Sequence, residues 1–91
     1  MPKTLNVPVQ LRKCLDNQET LQVNGNTIGE VVEELEQRYN NVKARLLAQD
    51  GTPNKFILFF INDEDIRFLN GVNTQLKDGD VITLIPSIAG G

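Results

Sequence analysis

The sequence has 91 residues, enough for one domain with one modest core. Hydrophobic residues make up 40% and charged residues 23%, an ordinary balance for a soluble chain, and the net charge of −3 argues against a phosphate-binding surface. Lys3, Arg12 and Lys13 are too few to reverse that view, so no nucleic-acid partner is expected. The absence of His excludes His-based metal sites, His general bases and catalytic triads, and the single Cys14 excludes an intrachain disulfide or a four-Cys cluster. Cys14 itself reads as a small hydrophobe in the core. The longest apolar run, Phe56 to Ile61, is far too short to cross a bilayer, and Met1-Pro2-Lys3-Thr4 lacks the apolar core of a signal peptide. The expectation is a cytoplasmic protein with no membrane partner and no bound metal.

Leu5, Val7 and Val9 alternate with Thr4, Asn6 and Pro8, which predicts a half-buried first strand that Pro8 bulges or ends. Gln10 to Asn17 reads as a turn or short helical loop. Leu21 and Val23, alternating with Thr20, Gln22 and Asn24, make a second strand, and Asn24-Gly25 a turn. Thr27 with Glu30 three residues on has the form of a capping box. Ile28, Val31, Val32, Leu35 and Tyr39 then form one apolar stripe, and Asn40-Asn41 ends the helix. Glu30, Glu33, Glu34 and Glu36 favour the positive end of the helix dipole and are expected on a solvated surface. Val42, Leu46 and Leu47 predict a short second helical turn.

Phe56 to Ile61 reads as a strand apolar on both faces, as for a central strand. Asn62-Asp63-Glu64-Asp65 turns the chain into Ile66-Arg67-Phe68; its acids are expected to be solvated rather than to hold a cation. Asn70-Gly71 and Asp78-Gly79 are further turns. In the last strand, Val81 to Ile85, Ile82 and Leu84 are expected under the helix, with Val81, Thr83 and Ile85 outward. One helix covers only one face of a small sheet, so the other face should expose an apolar patch suited to a partner. This order predicts an α+β β-grasp domain, a mixed sheet of four to five strands clasping one main helix. Its core should contain Leu5, Val7, Val31, Val32, Leu35, Ile82 and Leu84.

Beyond the last strand, Pro86 leads through Ser87, Ile88 and Ala89 to Gly90-Gly91, a pair of glycines that chance would place there in about one chain in 200. The expected division is a domain over residues 1–86 and a flexible tail over 87–91. Without a Cβ, the two glycines leave the carboxylate uncovered and able to thread a narrow channel.

Asp78-Gly79-Asp80 before a strand that ends Ile85-Pro86-Ser87-Ile88-Ala89-Gly90-Gly91 resembles the ThiS/MoaD group of ubiquitin-like sulfur carriers. The likeness extends to Leu11-Arg12, the capped helix and Asn62 to Leu69, and so covers nearly the whole chain. The Asn62–Leu69 segment looks most like the branch associated with cysteine formation or molybdopterin-type synthases; a thiamin-type acceptor also stays open. The resemblance implies that an E1-like enzyme adenylates the Gly91 carboxylate with ATP and converts it to a thiocarboxylate. The sulfur then passes to an acceptor in a second enzyme, a synthase of which this chain could be the small subunit. The protein is then a cosubstrate rather than an enzyme and binds no cofactor itself. Gly90, Ala89, Ile88 and Pro86 would position the tail. Pro8, Phe60 and Ile85 would dock partners on the outward sheet face, Phe60 being assigned to that face through the resemblance. Two rivals remain: a protein modifier joined to lysines through Gly91, and a passive β-grasp interaction domain.

Overall fold

The computed structural model describes residues 2–86, so the expected tail over 87–91 lies outside the described residues. Strand β1, Lys3–Asn6, pairs antiparallel with β2, Thr20–Val23. Helix α1 spans Ile28–Tyr39 and the short α2 Lys43–Leu46. Then come β3, Ile57–Ile61, the two-residue β4, Glu64–Asp65, and β5, Val81–Pro86. The sheet order is β2-β1-β5-β3-β4, with β5 parallel to β1 and antiparallel to β3. A parallel central pair requires a long crossover, and α1 lies on that path. This is the β-grasp arrangement the sequence predicts.

Period-two alternation sorts the strands. Leu5, Leu21, Val23, Ile57, Phe59, Ile61, Ile82 and Leu84 are buried beneath α1, which answers with Ile28, Val31, Val32 and Leu35. The seven residues expected in the core are all at most 3% exposed. The same alternation buries Lys3, whose Nζ donates to Asn24 O at 3.4 Å and to Asn26 Oδ1 at 3.3 Å. Cys14 packs half-buried against the core, as a small hydrophobe should.

The first strand is shorter than its apolar alternation suggests. It stops at Asn6, and Val9 is 68% exposed at the start of a 3-10 helix, Val9–Leu15, that turns Leu11 and Leu15 inward. Phe56 likewise lies outside β3 and is 44% exposed.

The helix acids do more than form the solvated surface expected of them: Glu30 and Glu33 are exposed, while Glu30, Glu34 and Glu36 also accept from backbone amides. Thr27 Oγ1 accepts the Glu30 N–H, as a cap should, but the Glu30 carboxylate takes the Asn26 N–H at 2.9 Å, one residue earlier than a standard capping box. Glu34 accepts from Asn24 N–H at 2.8 Å and Gly25 N–H at 2.9 Å. Glu36 accepts from Asn41, Val42 and Lys43 N–H at 3.1, 2.9 and 2.8 Å, while Glu33 pairs with Lys43. Turns before and after the helix leave amides without strand or helix partners, and the carboxylates satisfy them. Periodicity reveals which residues face outward but not which loop returns to meet them.

Gly25 lies so close to the helix that a Cβ there would come within 2.6 Å of Val31 N and 2.8 Å of Glu30 C. Both obstacles are backbone, so neither can rotate away. Gly25→Ala should destabilise the fold by about 1–3 kcal/mol, the usual cost of forced overpacking. Urea denaturation measures it; an unchanged midpoint would mean the turn is not held against the helix.

The amides of Lys43, then Asn41 and Val42, hold the Glu36 carboxyl below its ordinary value of 4.5. The unfolded chain therefore binds this proton more tightly than the folded one. The resulting stability is present above 4.5 and is lost as pH falls through the lower folded value. Glu36→Gln should melt lower than the native protein at neutral pH, with the gap narrowing in acid. Asp50, held low by Thr52, and Asp65, held low by Arg67, keep part of the acid dependence in the variant. Parallel melting curves at all pH values would remove Glu36 from this role.

Candidate docking face and the exit of the last strand

Among the described residues, the sheet face away from α1 carries no helix. Alternation along β5 turns Val81, Thr83 and Ile85 onto it, with Ile85 42% exposed. The pairs Phe60↔Thr83 and Leu58↔Ile85 place half-buried Phe60 and Leu58 alongside. On the other flank, Asn6↔Thr83 is reinforced by Asn6 Nδ2 donating to Thr83 Oγ1 at 3.3 Å. The pairing of β1 with β5 ends at Asn6↔Thr83, and half-buried Pro8 follows two residues on, at the same parity as Asn6. Phe60 and Ile85 therefore share one face, and the alternation of β1 turns Pro8 to the same side.

Sequence reasoning missed three contributors. Leu58 stands two residues before Phe60, so the strand period could have found it once Phe60 was assigned outward. Val9 and Phe56 read as strand residues, but they flank the end of the sheet from which β5 leaves. With Ile85 they leave exposed apolar side chains at the adjacent ends of β1, β5 and β3. Pro86 closes β5 opposite Ile57 and is half-buried. Ile88, Ala89, Gly90 and Gly91 lie outside the described residues.

At the β4 edge, Asp65 pairs across from Phe60 and is 8% exposed, which corrects the expectation of a solvated acid. Arg67 grips it with Nη2 at 2.7 Å and Nε at 2.9 Å on Oδ2, while the Arg67 N–H reaches Oδ1 at 2.8 Å. The Arg67 side chain holds the Asp65 carboxyl below the usual carboxylate range, and Asp65 raises Arg67 in return. This fork, from side chain and backbone of Arg67, closes the turn into a 3-10 segment, Ile66–Phe68, and engages both oxygens of Asp65. Among the described residues, no cluster of three acidic, Cys or His groups could hold a metal ion. No helix among them is long and apolar enough to cross a membrane.

A five-stranded β-grasp with an uncovered face and a last strand running toward Gly-Gly defines a ubiquitin-like protein. The chain belongs to the ThiS family, whose model matches residues 5–91 and so runs through both glycines. The sulfur carrier protein CysO of Mycobacterium tuberculosis is 36% identical over 93 residues, covering all of both chains. Small archaeal modifier protein 3 of Haloferax volcanii is 34% identical over 65 residues, covering 71% of this chain and 70% of its own. Among solved structures, a chain of the Amycolatopsis orientalis BexX/CysO complex superposes with a TM-score of 0.89 at 35% identity, over 98% of this chain and 99% of that one.

Proposed function

We propose that this protein is a sulfur carrier whose Gly91 carboxylate is activated and converted to a thiocarboxylate by a partner enzyme. The observation that carries this reading is the full-length likeness to CysO, at 36% identity, in a family match that includes Gly90-Gly91. An E1-like enzyme joins the carboxylate to AMP, releasing pyrophosphate. Sulfide then attacks the acyl carbon and AMP leaves; a persulfide does the same through an acyl disulfide that a second thiol cleaves. Both attacks need room around one carbon. A Cβ on the last residue would crowd them, and Gly90 removes the same obstacle one residue back. ATP and sulfur donor belong to the partners, and this chain acts as cosubstrate. The CysO relatives favour cysteine formation as the use of the sulfur, among the thiamin, molybdopterin and cysteine routes.

The test is intact mass after incubation with the activating enzyme, ATP and a sulfur donor. One oxygen should be replaced by sulfur, at Gly91. Gly91→Ala should fold normally yet be activated at a small fraction of the native rate, and residues added beyond Gly91 should abolish activation. Equal activation of extended and native chains would sink the thiocarboxylate reading. The Haloferax relative named as a modifier favours a second reading, conjugation through Gly91 to lysines. Peptides carrying Gly91 on a lysine side chain would establish it.

The activating enzyme is proposed to dock on the face formed by Pro8, Phe60 and Ile85. A crystal structure that holds a similar chain in a BexX/CysO complex supports docking of a protein partner. Phe60→Asp with Ile85→Asp should raise the KM for this protein about thirtyfold, the loss of a hot spot worth about 2 kcal/mol. An unchanged KM in a folded variant would place the contact elsewhere.

A further inference from the structure

The ladder between β1 and β5 ends where two prolines occupy successive rungs. It begins with Thr4 N–H donating to Asp80 O at 3.0 Å, in the register Thr4↔Val81, Leu5↔Ile82, Asn6↔Thr83. Every second residue of a strand turns its amide toward a given neighbour. Residues 4, 6 and 8 therefore face β5, and residues 82, 84 and 86 face β1. The next rungs would run from the amide of residue 8 to Leu84 O and from the amide of residue 86 to the residue 8 carbonyl. Residues 8 and 86 are both proline, two of the four in the chain, and neither has an N–H to give. Pro8 O already accepts the Leu11 N–H at 3.0 Å.

Backbone geometry at Pro8 itself does not end this ladder, and the chain turns only at Val9, where the 3-10 helix begins. Pro8 has φ −70° and ψ 156°, an extended conformation that a strand could continue through. On its opposite edge, β5 remains in register with β3 as far as Ile57↔Pro86. The last residues of β5 are therefore held along β3 alone, and the missing element on the β1 side is the pair of donors.

We propose that Pro8 and Pro86 act together as a ladder stop: positioning residues that deny Ile85 and Pro86 any rung on β1, so that only their pairing with β3 opposes uptake of the chain end by a partner's channel. This rests on the sulfur-carrier reading, in which that segment is the one to be activated. Either proline alone would remove one rung. The two together remove both donors in succession.

The test compares the full-length native chain with Pro8→Ala, Pro86→Ala and the double variant. The amides introduced at positions 8 and 86 should exchange with deuterium as slowly as paired strand amides, without loss of thermal stability. Trimming by a carboxypeptidase, which also needs an unpaired end, should slow. Activation should show a higher KM with kcat little changed, by about fivefold per rung restored, the factor given by one net hydrogen bond. N-methylalanine at position 8, installed by semisynthesis, lacks the donor as proline does, and its chain should be trimmed as fast as the native one. Solvent-rate exchange at the new amides would overturn the proposal. So would slow exchange with unaltered trimming and KM, or slowed trimming of the N-methylalanine chain. If the trimming contrast holds but the native chain takes up no sulfur, the ladder stop stands and the carrier reading falls.

Discussion

The parallel pairing of β1 with β5 brings residues some 77 positions apart in the chain into hydrogen-bond contact, Asn6 with Thr83. Such a pair is stable only if the intervening chain crosses over and packs down, because loop closure must be offset by burial. The α1 stripe supplies that burial, facing Leu5 and Ile82 at the centre of the sheet, with Leu35 fully excluded from water. Once β1 and β5 are central, β2 has only the free edge of β1 and β3 only that of β5. The rest of the topology follows from where those edges lie. With a single main helix among the described residues, one face is core and the other is left partly open to solvent.

The acids of α1 serve this arrangement in a way their exposure conceals. Each of Glu30, Glu34 and Glu36 satisfies amides in the turn that enters or leaves the helix. Glu34 and the buried Lys3 both hold the Asn24–Asn26 turn, from the helix and from β1 respectively. The turn is thus fixed against the helix start, where Gly25 has no room for a Cβ. These contacts link the sheet to α1 by hydrogen bonds where apolar packing alone would leave the register of the helix loose.

Local signals told most of this fold. The spacing of Ile28, Val31, Val32 and Leu35 and the alternation around Ile82 and Leu84 name their own buried faces, because each element's period is set by backbone geometry. Asn62-Asp63 behaves as a turn, with φ of 48° and 80°. What stayed hidden depended on partners distant in sequence. Nothing near Glu36 announces the amide of Lys43, and nothing around Asp65 distinguishes the buried, Arg67-bound carboxylate from the neighbouring exposed Asp63 and Glu64. Val9 and Phe56 looked like strand residues because they extend an apolar alternation. Their exposure is decided by where the ladders stop. The candidate face was legible only in part: Pro8 and Ile85 follow from alternation, whereas Phe60 sits in a run apolar on both sides, where periodicity is silent.

The distribution of charge bears on how this face would be used. The outward residues of β1, β2, β3 and β5 (Thr4, Asn6, Thr20, Gln22, Leu58, Phe60, Val81, Thr83 and Ile85) are all uncharged. At the β4 edge, the Asp65 carboxylate is paired with Arg67. Docking here would therefore desolvate apolar and hydroxyl groups without stripping water from an unpaired charge, the expensive step at an interface. A carrier must leave its activating enzyme and meet an acceptor, so very tight binding would impede turnover. An uncharged, partly polar face of a few strands suits that requirement: its apolar centre gives adhesion, and the absence of strong ion pairs keeps release from depending on breaking them. The acids of α1 lie on the opposite side, largely occupied by the protein's own backbone, where they stabilise the fold without competing for the partner.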